Sequence, residues 1–362
     1  MKFECKGYVL VGAIQQVGKA RSHQQSHAYL QDIYLELDNH ILTVRATNLE
    51  MSCEKSIPVK GIQNGSCIVH GETISKISTF LQSSDATITC ELVDGIFSIR
   101  KEGGVIEIKT TPQEDFPKLP PQGEHIGTVD IQTFISLIKE VSFCAATTEI
   151  KPEIASVYIY PNEDSLVAVA TDSYRLAEKR IQLQNPFTSS LLIPQKHIND
   201  IVSILQDEEG EVSVSKYEGI VNFTHETTTL CVHIITGQFP DYRQLFPKEF
   251  TTTATLLKDD LQKTLNITTY FTENYAQVKC ILTNNTLTLH SRNEALGQAT
   301  YSIQATQTGG DIEAQYNNRY FLDVLPHISG NQVHLSFTTQ ERAMFISGND
   351  ATFTYLLMPL NR

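Results

Sequence analysis

The chain repeats itself about every 124 residues, and each copy is long enough to be a domain with its own core. Ala46-Thr47-Asn48 returns as Ala170-Thr171-Asp172, and a Glu-Lys pair follows each at the same distance, Glu54-Lys55 and Glu178-Lys179. Ile14 answers Ile138, Ile74 answers Ile198, Ile77 answers Ile201, and Gly95-Ile96 answers Gly219-Ile220. The register slips by one near the end of the unit, where Phe116-Pro117 matches Phe239-Pro240. A third copy is fainter: Leu287-Thr288-Leu289 continues Leu42-Thr43-Val44, and Asn293 falls where Asn48 and Asp172 fell. A chain of 362 residues then holds three related domains, with joints at the Pro117-Lys118-Leu119-Pro120-Pro121 segment and near Pro247-Lys248-Glu249. We place them at residues 1–121, 122–247 and 248–362.

Each unit carries the same order of elements. A first helix is expected over Tyr8 to Lys19, Ile131 to Phe143 and Lys258 to Tyr270, because apolar residues recur at helical spacing, as in Phe134, Leu137, Ile138 and Val141. A second is expected over Glu72 to Leu81, Gln195 to Leu205 and Asn318 to Ile328. Between them the pattern alternates every second residue, as in Ile41-Leu42-Thr43-Val44-Arg45 and Thr286-Leu287-Thr288-Leu289-His290, which is the mark of half-buried antiparallel strands. The fold class is therefore α+β, with two helices packed on antiparallel sheets in each of three repeated domains.

Composition narrows the function by exclusion. With 41% hydrophobic and 19% charged residues and no apolar run of spanning length, the pattern is that of a globular chain with no membrane partner. The opening Met1-Lys2-Phe3-Glu4-Cys5-Lys6 has an acid where an export signal needs an apolar stretch, so a cytoplasmic location is expected. Seven scattered cysteines without a CxxC pair fit reduced thiols in a core. Neither a Gly-rich phosphate loop nor an HExxH, GxSxG or Cys/His cluster is present, so no catalytic residue, metal or cofactor is assigned and the chain is not expected to be an enzyme. His23 and His27 stand four apart in a loop-like stretch without further ligands, and Glu114-Asp115 reads as a solvated bend beside a proline turn. A hydrolase would need a nucleophile constellation that is missing. A tandem-domain scaffold or adhesion protein would need export signals or disulfides. The net charge of −13 argues against a protein that coats nucleic acid through a broad basic surface, although it leaves room for a local basic lining.

Three segments carry a family resemblance when taken together: Ala170-Thr171-Asp172-Ser173-Tyr174-Arg175-Leu176-Ala177, Phe239-Pro240-Asp241-Tyr242-Arg243, and Tyr355-Leu356-Leu357-Met358-Pro359-Leu360. In this order and spacing they resemble the signature segments of the bacterial β sliding clamp family, the processivity factor of the replicative DNA polymerase. The length, the threefold repeat, Met1-Lys2-Phe3 and the Asp115-Phe116-Pro117 turn match as well.

The resemblance implies a head-to-tail homodimer, a closed ring of six domains with helices lining the hole. Such a ring encircles duplex DNA without regard to sequence and tethers the replicative polymerase. Its further partners would be the clamp loader and other polymerases and repair proteins bearing short linear motifs. Carried over by position, the partner-peptide pocket would be walled by Ile154, Thr171, Tyr174, Arg175, Leu176, Pro240, Leu245, Leu356 and Met358. A concave apolar cleft with a thioether and one guanidinium suits a peptide's leucine and aromatic side chains. The family usually has Gly-His where this chain has Ser173-Tyr174, and a basic residue at Gln244, so motif preference is expected to differ. Arg21, Lys151 and Lys196, cations near the ends of lining helices, are the candidates for touching phosphates. Ile106 and Ile108, on one face of what reads as an edge strand, are placed at the subunit contact, with Tyr270 and Phe271 on the opposite side.

Overall fold

The spacing of about 124 residues is a spacing of strands and helices. Ile41–Thr47 and Ser165–Thr171, Met51–Pro58 and Arg175–Gln182, and Thr87–Val93 and Glu211–Tyr217 are strand pairs related by it. The computed structural model describes residues 1–22, 28–81, 86–111, 116–148, 150–273 and 275–360; His23, His27, Pro112, Glu114 and Asp115 lie outside them.

Six α-helices occur among the described residues: α1 Gly7–Val17, α2 Gly71–Leu81, α3 Ile131–Ser142, α4 Gln195–Leu205, α5 Lys258–Thr269 and α6 Asn318–Val324. Each buries one apolar stripe, as in α1 with Leu10, Val11, Ile14 and Val17. Helix α1 packs on α2, and α5 on α6. The last helix is shorter than its periodicity suggests. Pro326 cannot supply the backbone donor that a continuing helix needs, and the chain tightens into a 3-10 turn over Leu325–His327. At its other end the Asn317 side chain accepts from the amides of Arg319 and Tyr320 at 2.9 and 3.2 Å, which caps the helix.

The chain divides into two compact units that cut across the repeats. The first contains residues 1–135, 187–189 and 196–234, and its strands join in one thirteen-stranded antiparallel sheet. That sheet is continuous between the first and second repeats because Thr228–His233 pairs with Met51–Pro58, with Thr229 opposite Glu54 and Cys231 opposite Ser52. The second unit contains residues 136–186, 190–195 and 235–362, with a nine-stranded and a four-stranded sheet. Its larger sheet is joined in the same manner, since Phe353–Leu357 pairs with Arg175–Gln182, Phe353 opposite Lys179. The middle repeat thus gives strands to both units.

This joining rule leaves two strand edges open. In the third repeat the counterpart of Met51–Pro58 is Gly297–Gln304, which among the described residues pairs only with Thr286–Asn293. In the first repeat the counterpart of Thr228–His233 is Gly104–Thr111. Its residues Gly104 to Lys109 pair with Ile96–Lys101, while among the described residues its other side meets only Ile68 and Val69, through Thr111 and Thr110.

All seven cysteines are buried and free. Burial pushes the thiols of Cys5, Cys53, Cys67 and Cys231 up to about 12, so they remain protonated near neutral pH. No helix among the described residues is long and apolar enough to cross a membrane.

Candidate binding cleft and open edges

The repeated Ala-Thr-Asn/Asp run is a turn that closes on its own side chains. In the second repeat the Asp172 carboxylate accepts from the amides of Tyr174 and Arg175 at 2.9 and 3.0 Å, and the Thr171 hydroxyl donates to the Arg175 carbonyl at 2.6 Å. In the first, Asn48 accepts from Glu50 and Met51 at 3.0 and 2.7 Å; in the third, Asn293 accepts from Ala295 and Leu296, each at 3.0 Å. A short side-chain oxygen placed to mimic a backbone acceptor is what this turn requires. In the first two copies the residue after it is left-handed, at φ 73° in Leu49 and 78° in Ser173. A glycine is favoured there, so Ser173→Gly should raise the melting temperature modestly, the strain relieved being on the order of 1 kcal/mol. A lowered melting temperature would show that the serine side chain earns its place by contacts.

Arg175 leaves this turn and is paired twice within its own unit. Its Nε meets Asp172 at 3.0 Å and its Nη1 meets Asp323 at 2.6 Å. The guanidinium also lies over the Tyr320 ring at 4.1 Å and the Phe143 ring at 5.7 Å. With 11% of the side chain exposed, it ties the turn to α6. A doubly paired, stacked guanidinium is fixed in place, and a ligand carboxylate meets it only through the N–H groups these two bonds leave.

The next residue, Leu176, faces Leu356 across the sheet, and the Met358 amide extends the pairing by donating to the Tyr174 carbonyl at 2.9 Å. These residues wall a cleft of about 260 Å³ together with Ile154, Thr171, Ser173, Arg175, Pro240, Asp241, Tyr242, Gln244 and Leu245. Of the expected wall, only Tyr174 lies elsewhere. It opens instead on an adjoining pocket of about 640 Å³ with Tyr275, Gln277, Asn317, Tyr320, Pro359 and Leu360. Ser173 and Met358 belong to both spaces, so the two run together. Sequence reasoning did not assign Asp241 and Tyr242, although they follow Pro240 in the signature segment, nor Tyr275, Gln277, Asn317 and Tyr320 of the second pocket, which come from segments far from Tyr174 in the chain. Beneath the cleft sits an apolar cluster that includes Tyr160, Val167, Leu176, Phe239, Tyr242, Phe345 and Leu356, with Met358 packed against it.

At the first open edge Ile106 and Ile108 share a face of Gly104–Thr111, as alternation requires. Ile108, however, is 5% exposed and belongs to the core of its own unit, opposite Phe97. The pleat fixes which residues share a face, and at Ile108 that face is covered from within its own unit. Ile106 is half-buried, and Val105 is the exposed apolar side chain of the strand. Near the second open edge Tyr270 is exposed, while Phe271 is half-buried, its ring 3.9 Å from where a Cβ on Gly297 would stand.

Among the expected phosphate contacts, Lys151 is exposed, and Lys196 is exposed with its ammonium 2.7 Å from Glu50. Arg21 is more committed. Its Nε donates to the Gly18 carbonyl at 3.0 Å and its Nη1 to the Gln31 carbonyl at 3.3 Å, in a space that depends on Gly71 having no side chain.

Family models of the DNA polymerase III beta subunit match the chain in order: the N-terminal domain at residues 1–120, the central domain at 128–241 and the C-terminal domain at 243–361. A beta sliding clamp of Streptomyces coelicolor is 24% identical, over 99% of each chain. The crystal structure of the DNA polymerase III subunit beta from Pseudomonas aeruginosa superposes with a TM-score of 0.94 at 21% identity, covering all of both chains. A sliding clamp of the same organism bound to griselimycin superposes at 0.93 with 22% identity, again over both whole chains. With three domain models matched in sequence across nearly its whole length, the chain belongs to the DNA polymerase III beta subunit family, the non-catalytic DNA sliding clamps of replication.

Proposed function

We propose that two copies of the chain close head to tail into a ring of six domains around duplex DNA, and that the cleft at Leu176 and Met358 holds short linear motifs of the proteins so tethered. The observation that carries the ring is the unfilled pair of strand edges. Met51–Pro58 takes Thr228–His233, and Arg175–Gln182 takes Phe353–Leu357, which leaves Gly297–Gln304 and Gly104–Thr111, among the described residues, as the one pair of this kind without its partner. Joining them between copies repeats a contact the chain already makes twice, and a rotation that closes gives a ring. The domains at 1–121, 122–247 and 248–362 are the units of that pseudo-symmetry. An envelope from solution scattering is expected to have a central hole; a filled or rod-shaped dimer would contradict the reading.

Enclosure makes tight contacts unnecessary. Lys151 and Lys196 meet phosphates weakly, with Arg21 lending only what its carbonyl bonds leave, and the ring slides because no base edge is read. Tethering raises the local concentration of a polymerase at the primer end, so a modest motif affinity yields long synthesis. The partners proposed for the cleft are the replicative polymerase's catalytic subunit, the clamp loader, and other polymerases and repair proteins. Such work belongs in the cytoplasm with the chromosome. The griselimycin-bound relative supports a small-ligand site on this fold.

Met358→Ala and Leu176→Ala test the cleft. Each removes apolar contact worth roughly 1–3 kcal/mol if a peptide buries it, so affinity for a polymerase-derived motif should drop about tenfold or more. Met358 is half-buried and is the safer variant, whereas Leu176 is 2% exposed and needs a melting curve alongside. Native affinity in a folded double variant would remove both residues from the site.

A further inference from the structure

One wall of the cleft is an irregular segment, residues 239–246, with only the short 3-10 turn Arg243–Leu245 for regular structure. Pro240 and Leu245 line the cleft from it, and a ligand can use them only if the segment holds still. Its charge-assisted anchor on the sheet is the Tyr242 side chain. The Tyr242 hydroxyl donates to the Glu178 carboxylate and lies 2.7 Å from the Tyr160 hydroxyl. Glu178 stands two residues after Leu176 on the strand Arg175–Gln182 and shares its face, so the cleft's floor and the anchor of its wall are successive positions of one pleat. Tyr160 stands on Ser156–Asn162 of the same sheet, and the Arg243 guanidinium lies over its ring at 5.1 Å. Rings complete the seat: Phe239 stacks on Tyr158 at 5.0 Å, and Tyr242 meets Phe239 and Phe246 edge-on at 6.2 and 6.1 Å.

We infer that Glu178 and Tyr160 are positioning residues of the peptide cleft, acting through Tyr242 to hold Pro240 and Leu245 in place for a bound motif. The inference rests on the cleft being the motif site. Burial and the nearby Glu178 carboxylate push the Tyr242 phenol far above its usual value, which keeps its proton on the donor side of the bond at every working pH. A hydrogen bond to a charged group in a half-buried place is among the stronger ones a protein makes. Losing it leaves the segment held by ring and guanidinium contacts alone and less sharply placed, while the apolar cluster still holds the fold together, so the loss falls on binding more than on stability.

The test is equilibrium binding of a polymerase-derived motif peptide to the full chain, with melting curves for every variant and Leu176→Ala as the reference for the cleft. Tyr242→Phe should weaken the peptide about tenfold, the order expected for a lost charge-assisted bond. Glu178→Ala should match it, and the two together should lose no more than either alone. Glu178→Gln keeps an acceptor oxygen for the hydroxyl and should recover most of the affinity, a rescue that loss of stability alone does not explain. Tyr160→Phe removes only the outer hydroxyl and serves if Tyr242→Phe fails to fold; it should weaken binding to a smaller degree. The inference is overturned if folded Tyr242→Phe or Tyr160→Phe binds as the native chain does while Leu176→Ala does not, or if Glu178→Gln and Glu178→Ala lose equally. Should Leu176→Ala also bind normally, the cleft reading itself falls, which is a separate outcome.

Discussion

Val105→Lys combined with Ile106→Lys is expected to turn the protein into monomers of 40.5 kDa and to abolish its retention on DNA. Both residues lie on the part of Gly104–Thr111 whose second edge is open, and Val105 is 51% exposed. Lysines on an edge strand oppose strand pairing because each ammonium must either leave the contact or be stripped of water there. Burying one without a partner costs several kcal/mol, roughly, so two should raise the dimer dissociation constant by a hundredfold or more. Ile108 is the wrong place for such a charge, since it would strike the core of its own unit and unfold the chain. Sedimentation of the folded variant decides the matter. A dimer that survives both lysines would mean that the two open edges do not meet. Tyr270→Glu, on the opposite side, should act in the same direction with a smaller effect, because it places one charge at the contact where the double variant places two.

Much of the fold is legible from period alone. The stripe Ile74, Ile77 and Leu81 marks α2, the alternation through Ile41–Thr47 marks a strand, and both recur about 124 residues on. Period alone overruns α6, carrying it to Ile328, where Pro326 ends the helix at Val324. What period cannot tell is which face a neighbour will cover. Ile106 and Ile108 are placed on one face correctly, yet only the packed unit reveals that Ile108 is interior. The cleft divides in the same way. Asp172 beside Arg175 is a local pair, three residues apart, and can be read as a turn. Asp323, which takes the other side of that guanidinium, is 148 residues away, and the Tyr242 to Glu178 bond spans 64. Such contacts carry no short-range signal. Tyr174 illustrates the limit of positional transfer, since its backbone sits where the turn requires while its ring opens on the neighbouring pocket with Tyr320.

The open edges and the cleft have different consequences when lost. A monomer keeps its cleft and should bind motif peptides as before, because every wall residue lies in the second unit. A cleft variant keeps its edges and should remain a dimer that stays on DNA without tethering a polymerase. Separation of these two losses distinguishes a ring with a peptide site from a protein whose only role is to bind peptides.

Enclosure of DNA is tested most directly by loading the dimer on nicked circular duplex, raising the salt, and then cutting the circle. Direct contacts are few for a chain of net charge −13, and each phosphate neutralised releases counterions, so binding to open linear DNA should be weak and fall steeply with salt. A closed ring on a circle has no end to leave by. Retention on circles should therefore persist at salt that removes all protein from linear DNA, and it should vanish within the time needed to slide to an end once the circle is cut. Equal loss from circular and linear DNA at moderate salt, with the dimer intact, would contradict enclosure and leave an ordinary electrostatic binder in its place.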